Sequence, residues 1–230
     1  MRRFDTLPAP PGWAGQGAEL LRIVDPLGRA IAWLAPGFGG ACVGYAVRPG
    51  AGEDSPWHQI LRAAGPHALR DAPLDYGCAI LGPTPAEPEA ARSARWRFVE
   101  RDPTAAVCAA QCDTIHLTLS ARLDVGALRL DLLATNKGTA ASPLALGLRL
   151  CFADDFRAES PTRDTPQLHS TDGALQLTLH AADATTLQWQ ITDLAGAGIA
   201  VEAHTTAAPG TMIASGAELR LGVILGSKGR

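Results

Sequence analysis

The sequence predicts an all-β protein: a large antiparallel β-sandwich or barrel in a single domain spanning residues 1–230, with 1–20 read as an extended N-terminal segment. Three observations carry this expectation. Apolar and polar residues alternate with period two over 114–122 and again over 128–134, which is the pattern of a strand with one buried and one wetted face. Short apolar segments follow one another with Gly, Pro, Asn and Asp clusters between them. No strand–helix rhythm appears, and no Gly-rich fingerprint joins a strand to a helix. A chain of 230 residues is within the range of one large sandwich.

Taken in order, Leu21–Val24, Ala30–Leu34 and Cys42–Val47 read as an antiparallel meander. Asp25-Pro26-Leu27-Gly28 supplies its first turn, because Pro fixes φ and Gly tolerates positive φ. Pro36–Gly40 is a Gly-rich bend. Residues 48–95 are the least regular part. GAGEDSP, PHALRDAPLDYG and GPTPAEPEAARSA all read as loop, with Trp57, Ile60, Leu61, Tyr76, Ile80 and Leu81 as anchors. A long irregular stretch of this kind often lines a functional surface, and it can equally cover a sheet edge.

Strand signals strengthen from Trp96–Val99 onward. Ala106–Cys112 is ambiguous. In Thr114–Arg122, Ile115, Leu117, Leu119 and Ala121 share one side. In Leu128–Ala134, Leu128, Leu130 and Leu132 do. Asp124–Ala127 connects the two, with Gly126 placed for a hairpin. Leu144–Phe152 follows, then a polar loop over 154–165. Leu175–Leu179, Leu187–Ile191, Gly198–Ala203 and Leu219–Leu225 complete the set.

Composition removes several function classes. The apolar fraction of 47% supports a sizeable core, and a charged fraction of 19% does not suit a disordered chain. Net charge is −3 with the basic residues dispersed, so no basic stripe offers itself to nucleic acid. No apolar run is long enough to span a membrane, and MRRFDTLPAP has no apolar core of a secretory signal. The five cysteines are odd in number and irregular in spacing. They read as small buried thiols of a reducing compartment, which points to the cytoplasm. The six histidines are scattered, no HExxH or GxSxG is present, and no metal site is expected.

Two segments suggest chemistry. Glu202, in Val201-Glu202-Ala203-His204-Thr205, lies at the end of an apolar strand beside an imidazole. A carboxylate so placed can act as a base if a cleft forms, or can simply face solvent. Arg149 sits in the mostly apolar Leu148–Phe152. Its five donors suit an oxygen-rich ligand such as a sugar if it points into a concave face. It can also face solvent, or pair with Glu202 as a structural ion pair. Trp57, Trp96 and Trp189 offer stacking faces for a sugar ring, or belong to the core.

These segments carry a resemblance. LRIVDPLGRAIAWLAPGFGGACVGYAV (21–47), LRLDLLATNKGTAASPLALGLRLCF (128–152) and VEAHTTAAPG (201–210) occur in the order of the aldose 1-epimerase (galactose mutarotase-like) family. The chain resembles a short, divergent member. The resemblance implies the large antiparallel supersandwich of that family and interconversion of sugar anomers without a cofactor. It implies Glu202 as the catalytic base. Arg149 stands where the family has its acid histidine, and no histidine stands near Pro88 and Glu89, where the family has another. His204 or another histidine would then supply the acid, with Arg149, His204 and Trp96 as substrate-binding residues. The expected partner is a small carbohydrate, with neither nucleic acid nor membrane involved, and the chain is a monomer or homodimer. A non-catalytic carbohydrate-binding protein and a relic of the fold without a small-molecule role remain as alternatives.

Overall fold

The computed structural model describes residues 10, 13, 19–48, 56–84, 89–159, 165–182, 186–194, 198–205 and 211–229. Most of the N-terminal segment and most of GAGEDSP therefore lie outside the described residues, as does Pro88.

The strands in chain order are β1 (Leu21–Val24), β2 (Ala30–Ala35), β3 (Ala41–Val47), β4 (His58–Leu61), β5 (Cys78–Leu81), β6 (Arg97–Arg101), β7 (Ala105–Cys112), β8 (Ile115–Asp124) and β9 (Ala127–Asn136). There follow β10 (Ser142–Pro143), β11 (Gly147–Cys151), β12 (Phe156–Glu159), β13 (Gln167–Ser170), β14 (Leu175–Ala181), β15 (Leu187–Asp193), β16 (Ile199–Thr205), β17 (Met212–Ile213) and β18 (Glu218–Gly229). Two short helices, α1 (Pro66–Asp71) and α2 (Ala90–Ser93), and a 3-10 turn over Pro36–Phe38 interrupt them.

The long strands form two eight-stranded antiparallel sheets. One runs β1-β2-β3-β5-β11-β16-β15, with β4 added on β3; the other runs β12-β13-β14-β18-β9-β8-β7-β6. Their inner faces share one apolar core that includes Leu117, Leu119, Leu130, Leu132, Leu148 and Val201. This is the β-sandwich expected from the alternation, since strands such as β8, β9 and β14 present one apolar row inward and a wetted row outward. In β8 the buried row is Ile115, Leu117, Leu119 and Ala121. In β9 it is Leu128, Leu130, Leu132 and Ala134. Val125 and Gly126 close this hairpin, with Gly126 at φ +75°, a conformation that costs glycine little.

The first sheet departs from simple alternation. Every residue of β2 and β3 is buried, because a second apolar cluster covers their outer face. Trp13, Trp33, Val43, Ala64 and Leu69 belong to it. Along β11 and β16 this cover stops, and the outer row becomes polar.

The structure corrects the reading of 48–95 as loop. This stretch contains β4, α1, β5 and α2, and β5 pairs with β11 near the middle of the first sheet. The strand is only four residues and buried on both faces except at Leu81, so it shows no period. The helices are too short for a helical period to register. The polar segment after Asp154 likewise contains β12, and Leu144–Phe152 pairs regularly only from Gly147. All five cysteines are free; four are buried and Cys112 is half-buried. Burial pushes the Cys151 thiol up to about 11 against the acidifying Arg149 beside it.

Candidate functional site

Register builds the site. In the antiparallel pairing of β11 with β16, Arg149 stands directly opposite Glu202, and Gly147 opposite His204. Glu202 in turn faces Gln190 on β15, and Arg149 faces Ala79 on β5. Paired residues point to the same side of a sheet, as do residues two apart in one strand. Ala79, Arg149, Glu202 and Gln190 therefore form a row across the outer face, with His204 and Gln188 one step along it.

The side chains in this row contact one another. Arg149 Nη1 donates to Glu202 Oε1, and His204 Nε2 lies 3.0 Å from Glu202 Oε2. An ionised carboxylate only accepts, so this contact places the proton on Nε2. Arg149 is fixed from its other side: Nε donates to the carbonyl of Leu74 at 2.8 Å. Cys151 Sγ donates to the same carbonyl at 2.9 Å. The loop between α1 and β5 is thus tied to the sheet through one carbonyl oxygen. Side-chain exposure rises outward, from 13% for Arg149 and 17% for Glu202 to 38% for His204. The glutamate is reached from the histidine side.

Gly147 makes room for this arrangement. A β-carbon there would come within 2.8 Å of His204 Nδ1 and 3.1 Å of Leu81 Cβ. The imidazole lies across the position where any other residue would carry its side chain.

Opposing influences act on the carboxyl. Burial works to raise the Glu202 value, but hydrogen bonds from His204 and Arg149, with the charge of Arg149, outweigh it and hold it below the ordinary value. Burial likewise works to lower Arg149, and the Glu202 contact overrides it, so the guanidinium stays charged. The result is an ionised, oriented carboxylate of reduced basicity.

Of the four residues given catalytic or substrate-binding roles from the sequence, Arg149, Glu202 and His204 meet here. Trp96 does not sit in this row. It is 5% exposed and packed in the inter-sheet core, and its Nε1 donates to Ala91 O at 2.6 Å. It also forms a wall of a neighbouring cavity over β3 and β5. Leu74, Gly147 and Gln190 belong to the site and were not singled out, since only pairing register and loop closure bring them there. Among the described residues, no group of three or more His, Cys, Asp or Glu side chains is placed to hold a metal ion. No helix among them is long and apolar enough to cross a membrane.

No protein-family model matches the chain, and no curated protein sequence matches it. Solved structures do. A candidate aldose 1-epimerase from Escherichia coli K12 superposes with TM-score 0.72 at 10% identity, over 93% of this chain and 100% of that one. A galactose mutarotase-like protein from Clostridium acetobutylicum gives TM-score 0.66 at 11% identity, covering 93% and 99%. One from Lactobacillus casei gives 0.66 at 14% identity, covering 91% and 100%. At such identities the likeness concerns backbone architecture: the chain has the fold of the aldose 1-epimerase-like and galactose mutarotase-like structures.

Proposed function

We propose that the protein acts on the reducing end of a sugar, interconverting its anomers at the Glu202–His204 pair. The observation that carries this reading is the 3.0 Å contact between His204 Nε2 and Glu202 Oε2, on the outer face of a sheet with a mutarotase-like fold. Anomer exchange needs a base at the hydroxyl on C1 and an acid at the ring oxygen bonded to the same carbon. Two adjoining groups of opposite role suit two adjoining oxygens.

In this reading Glu202 accepts the proton of the C1 hydroxyl as the carbonyl forms and the bond from C1 to the ring oxygen breaks. His204, in its imidazolium form, gives a proton to the departing ring oxygen. Rotation about the adjacent carbon–carbon bond presents the other carbonyl face, and the reverse transfers close the ring. Arg149 stays protonated and is a poor acid. Its part is to orient Glu202 and keep it ionised. Gln190, opposite Glu202, offers an amide to a ring hydroxyl.

A specific observation favours a second reading, a binding or scaffold protein without catalysis. The Arg149–Glu202 contact is largely buried, and the Leu74 carbonyl closes it from behind, as in a structural ion pair.

Anomer exchange of several free aldoses, followed by polarimetry or NMR, separates the two. The catalytic reading expects the wild type to exceed the spontaneous rate. It expects Glu202→Gln to lose a factor of about 10²–10⁴ of that acceleration, the usual contribution of a general base. A wild-type rate equal to the spontaneous one, or a variant as fast as the wild type, refutes it.

A further inference from the structure

A cavity of about 680 Å³ lies over β3 and β5, between the 3-10 turn, α1 and α2. Ala41 and Ala79 form its floor, Leu69, Phe38 and Trp96 give it apolar walls, and Arg70 and Arg92 line it from the two helices. Its charges are unevenly neutralised. Glu19 also lines it, but that carboxylate is engaged by Arg101. Glu89 holds Arg92 Nη2 at 2.6 Å while being 75% exposed itself. Arg92 is much less exposed, at 15%, and its Nε is buried with no hydrogen-bond partner. That Nε is closed to water and does not open on the cavity, so the donors Arg92 can offer a ligand are on its Nη groups, one of which Glu89 already holds. Arg70 has no carboxylate partner among the described residues, and its guanidinium lies 5.7 Å from the Phe38 ring centroid.

We infer that this cavity binds a small organic oxyanion with a ring body. The carboxylate or phosphate group takes the donors of Arg70 and Arg92, whose planar forks suit such oxygens. The ring lies against Phe38, Leu69 and Trp96. A volume of this size fits one small ligand of that kind. The cavity adjoins the catalytic row, with Ala79 common to both, and its ligand goes beyond the mutarotase reading because it is defined by charge and not by a hemiacetal. The lining carries two arginines and two glutamates, and only the engagement of Glu19 by Arg101 tips the balance by one positive charge, on a chain of net charge −3, so binding is local and weakens with salt.

Calorimetric titration and thermal shift on the full chain test this with four probes: D-glucuronate, benzoate, inorganic phosphate and neutral D-glucose. At least one of the two organic anions should bind more tightly than either glucose or phosphate. Arg92→Gln and Arg70→Gln should each raise its Kd about tenfold or more, equivalent to about 1.4 kcal/mol. The backbone of α2 is held independently of the Arg92 head, by Ala91 N to Gly82 O at 3.0 Å and by Trp96 Nε1 to Ala91 O. If Arg92→Gln nonetheless unfolds, Arg70→Gln on the exposed rim carries the same test. Organic anions that bind no better than glucose, or equally well to both variants, overturn the inference. Phosphate binding as tightly as the organic anions overturns its ring-body half. Anomer exchange is read in a separate assay, so a protein that binds the anion and does not interconvert anomers refutes only the mutarotase reading.

Discussion

Replacing Arg149 by Leu, alone and together with Glu202→Leu, measures what the ion pair contributes to folding. The single change removes the donor to Glu202 Oε1 and the 2.8 Å hydrogen bond from Nε to Leu74 O. It leaves a carboxylate whose side chain is 17% exposed with His204 as its remaining partner. Breaking a fully buried pair costs about 3–5 kcal/mol, because the surviving charge loses compensation and not merely a contact. Partial access to water lowers this, so we expect a loss of about 2–3 kcal/mol at pH 7. For a chain of this size that corresponds to a fall of roughly 4–12 °C in Tm. The double variant removes both charges at once and replaces them with apolar volume. It should recover most of the loss, to within about 1 kcal/mol of the wild type, because a buried pair is worth little more than a well-packed apolar one. Urea unfolding with unchanged m values is the assay, and the double-mutant cycle gives the coupling. If Arg149→Leu costs less than about 0.5 kcal/mol, the pair does not support the fold. Arg149 would then be held for a ligand and not for stability.

Two further outcomes follow from the same geometry. Glu202 is depressed in the folded chain from an ordinary value of 4.5, so the unfolded chain takes up the proton at higher pH than the folded one. Its stabilisation is complete above about pH 4.5 and is lost as the pH falls through the lower folded value. Tm measured from pH 7 down to pH 3 should show this fall in the wild type and a shallower one in Glu202→Gln; equal slopes would rule it out. Gly147→Ala places a methyl group on the His204 ring and should turn the imidazole away from Glu202 at a cost of about 1–2 kcal/mol. Unchanged imidazole resonances of His204 in NMR spectra would show that the clash is absorbed elsewhere.

The strands most legible in the sequence are those wetted on one side. In β8 and β9 the contrast between Leu119 and Ser120, or Leu130 and Asp131, is written residue by residue, because water contacts one face and the core the other. β5 lacks that contrast. Its residues Cys78, Ala79 and Ile80 are covered on both faces, so a central strand resembles any short apolar run. The same physics hid α1 and α2, whose six and four residues complete too few turns to set a period.

The candidate site divides along a similar line. Arg149, Glu202 and His204 stand out in the sequence because each is a polar residue inside an apolar strand, which local patterning reveals. Trp96 stands out equally, yet it packs in the core, since an indole suits a stacking surface and an apolar interior alike.

By itself, then, the sequence determined the β class, the inward rows of the long strands and the identity of the polar residues on the outer face. These depend on the alternation of neighbouring side chains, and that is local information. Only the tertiary structure decided that Arg149 meets Glu202 from 53 residues away, that Leu74 closes the pair from 75 residues away, and that Gly147 leaves space for His204. Those contacts depend on strand register and loop closure. A slip of one residue would turn every one of these side chains to the opposite face, and register is chosen by the summed packing of both sheets.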